Sequence, residues 1–252
     1  MRIDPHAHTT ASDGTSTPAQ LVAEALGAGL DVVGITDHDT IDGWAGATKA
    51  AERMGVGLLR GVELTALSAG ITVHILGFLP DPDYEPLQAE FAAIRDSRLT
   101  RAERMVERIA VDFPITWPQV LSHVGPDATV GRPHIADALV AAEAFPDRNA
   151  AFAKVLHRDG PYYVPHYSPD AVDAVRLIRA AGGVPVFAHP GAGNRGRIVP
   201  DETFDELAAA GLAGLEIYHR DHSDEQYPRL TRIARALDLF VTGGSDYHGL
   251  GK

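Results

Sequence analysis

The chain has 252 residues, 45% of them hydrophobic, with a formal net charge of −12 and no cysteine. That is enough apolar material for a sizeable core, but without cysteine there are no disulfides or thiolate metal sites, so any metal must take nitrogen and oxygen donors. The acidic balance argues against binding long nucleic acid. No apolar run approaches the roughly 20 residues of a membrane helix, and the N-terminus lacks the basic and apolar regions of a secretion signal, so a cytoplasmic enzyme is expected.

A short apolar start leads into Asp4-Pro5-His6-Ala7-His8, then Ser12-Asp13-Gly14. Residues i and i+2 of a strand face alike, so His6 and His8 project together, with the Asp13 carboxylate one loop away. Buried strands are expected over 31–36, over 57–59 running into 61–64, and over 71–78, with helices over 18–26 and 44–54 between the early ones. From about 85 to 157 only helix-like segments rich in Ala, Arg and Glu occur, at 86–109, 117–123, 132–142 and 147–156. Strands resume at 184–188, 212–218 and 239–242, with helices at 170–181, 204–210 and 225–237. Thr17-Pro18 and Ser168-Pro169 each read as a capping hydroxyl before a proline at the first helical position. Strand–helix alternation predicts a largely parallel α/β sheet or barrel. The expected division is a barrel from 1–84 and 161–252, with a helical insertion over 85–160 capping the substrate.

Nearly every expected strand carries or ends in a polar group that a core does not want. His6 and His8 follow the first, and Asp37, His38 and Asp39 the second. Glu63 lies within the third and His74 within the fourth. His189 follows the fifth, Glu216 and His219 the sixth, and Asp246 and His248 the last. Any one of these reads as a satisfied core group or a turn residue. Together, at the carboxyl ends of strands in a parallel α/β fold, they converge on one rim. Histidine and carboxylate donors on that rim suit zinc, manganese or iron.

Asp4-Pro5-His6-Ala7-His8, Ser12-Asp13-Gly14, Thr36-Asp37-His38-Asp39, Gly61-Val62-Glu63, Ala188-His189-Pro190 and Gly244-Ser245-Asp246-Tyr247-His248-Gly249 run through the whole chain. In type and order they resemble the PHP (polymerase and histidinol phosphatase) superfamily of metal-dependent phosphoesterases. The resemblance implies a distorted (β/α)7 barrel with two or three divalent ions at its mouth. By the family pattern His6, His8, Glu63 and Asp246 hold one metal. Glu63 bridges to a second held by His74 and His189, and Asp13, His38 and His248 hold a third. Asp37 is expected to orient a ligand histidine. Members of that family commonly run on past the last motif, whereas this sequence stops at Gly251-Lys252, so either its C-terminus is trimmed or a closing segment is absent.

The body is most similar to bacterial members that act on nucleotides. Gly131-Arg132-Pro133-His134 matches their pattern, which gives Arg132 a grip on substrate phosphate and His134 a weaker place beside it. Arg195 and Arg197, in a glycine-rich loop, are candidates for a second phosphate clamp, with Arg197 favoured. His219 is a candidate donor to phosphate or leaving oxygen. His123, His157, His166 and His222 carry little weight. The implied reaction is hydrolysis of a phosphomonoester of a small nucleotide by hydroxide generated at the metals. Expected substrates are a nucleoside 3′,5′-bisphosphate, a 5′-mononucleotide or a short oligonucleotide. The alternatives are a histidinol-phosphate phosphatase and a non-catalytic metal-binding module. Residue types leave oligomeric state and metal identity open.

Overall fold

A computed structural model describes residues 1–125, 130–157, 160–165 and 167–250. Seven strands form one sheet in chain order: β1 (Ile3–Asp4), β2 (Val32–Ile35), β3 (Gly57–Ser68), β4 (Ile71–Phe78), β5 (Val184–Phe187), β6 (Gly214–Tyr218) and β7 (Phe240–Gly243). An isolated bridge between Ala7 and Tyr247, with His8 N donating to Tyr247 O at 2.8 Å, ties the end of the sheet back to its start. The result is a nearly closed barrel with helices. The chain divides into two compact units, Met1–Phe91 with Ser168–Lys252, and Ala92–Tyr167. No helix among the described residues is long and apolar enough to cross a membrane.

Along the chain, α1 (Pro18–Gly27) and α2 (Trp44–Met54) follow β1 and β2, and α3 (Glu85–Ile109) follows β4. Thr17 caps α1 as expected, in a reciprocal box with Gln20. The leucine, valine and alanine stripe of α1 and the alanines of α2 bury against Val33, Ile35 and Val56. In the C-terminal half, α7 (Ala171–Ala180), α8 (Glu202–Ala210) and α9 (Gln226–Ala236) alternate with β5 to β7. Ser168-Pro169 does not open α7. Asp170 caps it instead, its carboxylate accepting from Val172 N at 2.9 Å, while Pro169 O accepts from Leu67 N.

The sheet is largely parallel, as expected, with one exception. β4 runs antiparallel to both β3 and β5, while the other pairs are parallel. The cause is the two-residue turn Ala69-Gly70, both at positive φ (47° and 73°), which is the twist a tight hairpin requires. Ala-Gly is a weaker turn signal than Asn-Gly, so the sequence reads past it. The hairpin also lengthens β3 to Ser68. In its register Thr65 lies opposite His74, which puts His74 on the face that carries Glu63.

The second unit, read by itself, has no strand among its described residues. It contains most of α3, then α4 (Trp117–Leu121), α5 (Arg132–Ala141) and α6 (Arg148–Ala151), which continues as a π-helical turn over Phe152–Leu156. Its core is Met105, Ile109, Val120, Ile135, Leu139 and Leu156.

β1 leads directly into the first two histidines, and the seat of that segment depends on a missing side chain. A Cβ on Gly34 would lie 1.9 Å from Pro5 O. Gly34→Ala is therefore expected to lower unfolding free energy by about 3 kcal/mol or more in urea titration. An unchanged midpoint would show that β1 and β2 separate without consequence.

Candidate metal centre

His6 and His8 follow β1, His38 follows β2 and bridges to Glu63 of β3, and His74 lies in the first half of β4. His189 follows β5, and Asp246 and His248 follow β7. The barrel brings these distant residues around one carboxylate. His6, His8, His38, His74 and His189 form a closed ring of imidazoles with successive centroids 4.6 to 5.8 Å apart. Inside it, Glu63 Oε1 lies 2.8 Å from His74 Nδ1 and 3.0 Å from His189 Nε2. Glu63 Oε2 lies 3.3, 3.0 and 3.3 Å from nitrogens of His6, His8 and His38.

Of these contacts the one between His189 Nε2 and Glu63 Oε1 is a hydrogen bond; the others are close approaches without one. Glu63 Oε2, Asp246 Oδ1, His38 Nδ1 and His74 Nδ1 are all buried and without a hydrogen-bond partner. Orphaned buried polar atoms are rare. Here they lie close to one another in groups of histidine and carboxylate atoms that could hold a cation.

The tightest group tests that reading. His6 Nε2 lies 3.1 Å from His8 Nε2, 3.3 Å from Glu63 Oε2 and 3.2 Å from Asp246 Oδ1, and His8 Nε2 lies 3.0 and 3.1 Å from the same two oxygens. Bonds of about 2.0–2.1 Å place the corners of a tetrahedron roughly 3.3–3.4 Å apart. The donors fit a metal ion with little adjustment. A second group joins His8, Asp13, His38 and His248, and a third joins His38, Glu63 and His74. His189 reaches the same Glu63 oxygen as His74 but stands outside that compact trio.

The family model for the PHP domain matches residues 4–110. A 3′,5′-nucleoside bisphosphate phosphatase of Chromobacterium violaceum is 34% identical over 251 residues, 99% of this chain and 88% of that protein. A 5′-3′ exoribonuclease of Haemophilus influenzae is 30% identical over 250 residues, 98% of this chain and 90% of that one. The chain belongs to the PHP family. A crystal structure from Bifidobacterium adolescentis, described as a metal-dependent phosphoesterase, superposes with a TM-score of 0.94 at 48% identity, covering 100% of this chain and 89% of the other. This PHP protein is accordingly a metal-dependent phosphoester hydrolase.

In the PHP site the groups behind the donors are as informative as the donors. His6 Nδ1–H donates to Glu216 Oε1 at 2.9 Å, which leaves its Nε2 lone pair for the tetrahedral group. Glu216 Oε2 accepts from His189 N at 2.8 Å, so one carboxylate sets both histidine-bearing segments. Gly244 makes room, since a Cβ there would lie 2.2 Å from Glu216 Oε1. Asp37, expected beside a ligand histidine, spends its oxygens on Thr9 N, Thr9 Oγ1 and Ser12 Oγ. It fixes the loop that presents Asp13. The sequence signal for Glu216 was its place in an apolar strand, which by itself names no partner. His248 Nδ1–H donates to Asp246 O at 2.8 Å, turning Nε2 toward Asp13 Oδ1 at 3.3 Å. Backbone strain gathers here too: His189 and Asp246 have φ of 30° and 52°.

A cavity of about 330 Å³ opens beside the second group, lined by Asp13, His38, Arg195, Arg220, Asp246 and His248. Arg195 is in place but committed: its guanidinium bonds Asp221 Oδ2 at 2.7 Å and Asp246 Oδ2 at 2.5 Å. It holds Asp246 from behind. Arg197 is exposed and does not line the cavity. His219 is buried, with Nδ1 accepting from Asp221 N and Nε2 3.6 Å from Asp246 Oδ2, and it does not line the cavity. His222 is structural, accepting from Gly191 N and donating to Ile217 O. Arg132 and His134 belong to the second unit. There Arg132 donates to Leu156 O and lies over the Phe152 ring, and His134 Nδ1 accepts from Gly131 N at the start of α5. His123 and His157 are exposed, and His166 lies outside the described residues.

Burial disfavours the charged ring of His8, but the Asp246 and Glu63 carboxylates facing it outweigh that and push the pKa up to about 10. His6 is likewise raised well above the usual imidazole value, burial being outweighed by Glu216 and Glu63. A metal must displace those protons, so apparent affinity rises as pH rises from about 6 to 9. Calorimetric loading in buffers of different ionisation enthalpy is expected to show proton release at pH 8; buffer-independent heats would contradict it. Glu216→Gln is expected to weaken metal binding about 10–100-fold in chelator competition.

Proposed function

We propose that the chain removes phosphate from phosphomonoesters of small nucleotides, with a nucleoside 3′,5′-bisphosphate or a 5′-mononucleotide as substrate. The observation that carries this reading is the buried histidine–carboxylate cluster opening on a cavity of about 330 Å³. That volume is at the lower end of the range for small-molecule sites and suits one nucleotide unit better than a polymer. His6, His8, Glu63 and Asp246 would hold one ion. Glu63 would reach toward a second with His74 and His189, and Asp13, His38 and His248 would hold a third. Manganese, zinc and iron all suit these donors. Divalent ions there supply charge for phosphoryl oxygens and a water of lowered pKa.

The chain's own residues orient and hold. Glu216 fixes the His6 tautomer, while Arg195 and His219 back Asp246 so that Oδ1 faces the cluster. A histidinol-phosphate reading has less support, since both compared curated relatives bear names of nucleotide or RNA hydrolases. The name of the Haemophilus influenzae relative makes attack on a 5′-phosphorylated RNA end the second reading.

Phosphate release from nucleoside bisphosphates, mononucleotides, histidinol phosphate and a 5′-phosphorylated oligoribonucleotide separates the readings. Manganese-loaded protein is expected to favour the nucleotides. Faster shortening of the oligoribonucleotide would replace this proposal with the exonuclease, and no hydrolysis of any ester would leave a metal-binding module. Glu63→Gln is expected to reduce turnover by at least about a thousandfold, because it removes a donor shared between groups.

A further inference from the structure

Arg195 and Arg220 both line the cavity, yet their situations differ. Arg195 is neutralised on two sides, by Asp221 and by Asp246. Arg220 is exposed, and its guanidinium has no hydrogen bond or ion pair among the described residues. Its sequence neighbour Asp221 is the nearest carboxylate along the chain, and Arg195 already occupies it. The cavity's other carboxylates, Asp13 and Asp246, face histidine nitrogens. In a chain with 34 acidic and 22 basic residues, an arginine left over on the wall of a cavity is conspicuous.

The segment that carries it is rigid. His219 Nδ1 accepts from Asp221 N at 3.1 Å, Tyr227 Oη donates to His219 O at 3.2 Å, and His222 N donates to His219 O at 3.1 Å. His222 is pinned in turn to Ile217 and Gly191. Arg220 thus projects from a turn whose backbone is held on both sides, which reduces the ordering needed to use it. A guanidinium also offers a planar fork of donors matched to phosphate oxygens.

We propose that Arg220 is a substrate-binding residue that receives non-bridging oxygens of the phosphoryl group in this cavity. The inference deepens the proposed function and rests on it. Arg195, by contrast, acts on the metal ligand Asp246 and not on substrate.

The test uses the full manganese-loaded chain and its Arg220→Ala, Arg220→Lys and Arg195→Ala variants. Inorganic phosphate is titrated calorimetrically, and bound metal is measured in the same samples. Arg220→Ala is expected to weaken phosphate binding on the order of ten- to a hundredfold with metal content unchanged, and Arg220→Lys to recover part of the loss. KM for a mononucleotide rises by a similar factor while kcat moves less. Arg195→Ala instead loses metal. Phosphate affinity unchanged in Arg220→Ala, metal lost together with affinity, or no phosphate binding by the wild type would each overturn the assignment. Arg220-dependent phosphate binding without hydrolysis of any nucleotide would sink the proposed activity and leave Arg220 standing.

Discussion

One buried carboxylate organises this protein. Glu63 sits fully inside the barrel, and an isolated ionised carboxylate in such a place is strongly unfavourable unless charge or hydrogen bonds compensate it. Five imidazoles surround it, and the cluster holds Glu63 well below the usual carboxylate range despite its burial. The ring closes only because β1 to β5 are adjacent in that order: His6 and His8 follow β1, His38 follows β2, His74 lies in β4 and His189 follows β5, around the Glu63 that β3 supplies.

The constraint spreads outward through hydrogen bonds. His6 must present Nε2, so Glu216 takes its other nitrogen, and the same carboxylate then ties down the backbone of His189. Asp246 must offer one oxygen to the cluster, so Arg195 and His219 stand behind the other. Asp4 accepts from Ser245 N at 3.0 Å, joining the loops that carry the first and last donors. These partners explain why so many polar side chains are buried at one end of an otherwise apolar barrel. They are the shell that keeps donors preorganised for a cation.

Some of this was legible from local pattern. The spacing of His6 and His8 implies a shared face, Thr17-Pro18 marks a helix start, and polar residues interrupting apolar runs mark the rim. The antiparallel course of β4 was not legible, because it hangs on a turn at Ala69-Gly70 with little sequence signature. Nor was the choice between Asp37 and Glu216 as the carboxylate behind a histidine. Both follow or interrupt apolar strands; only distance in space tells that Asp37 meets Thr9 and Ser12 while Glu216 meets His6.

Residue order alone was enough for the inventory of donors, the exclusion of sulfur ligation and the family resemblance, because these depend on side-chain chemistry and short-range periodicity. It could not say that five histidines encircle Glu63, that Arg195 is consumed by two carboxylates, or that Arg220 is left over beside the cavity. Those facts are pairings between residues far apart in the chain. Closure of the barrel decides them, since a hydrogen bond or an ion pair depends on a few ångströms of separation that no local pattern encodes.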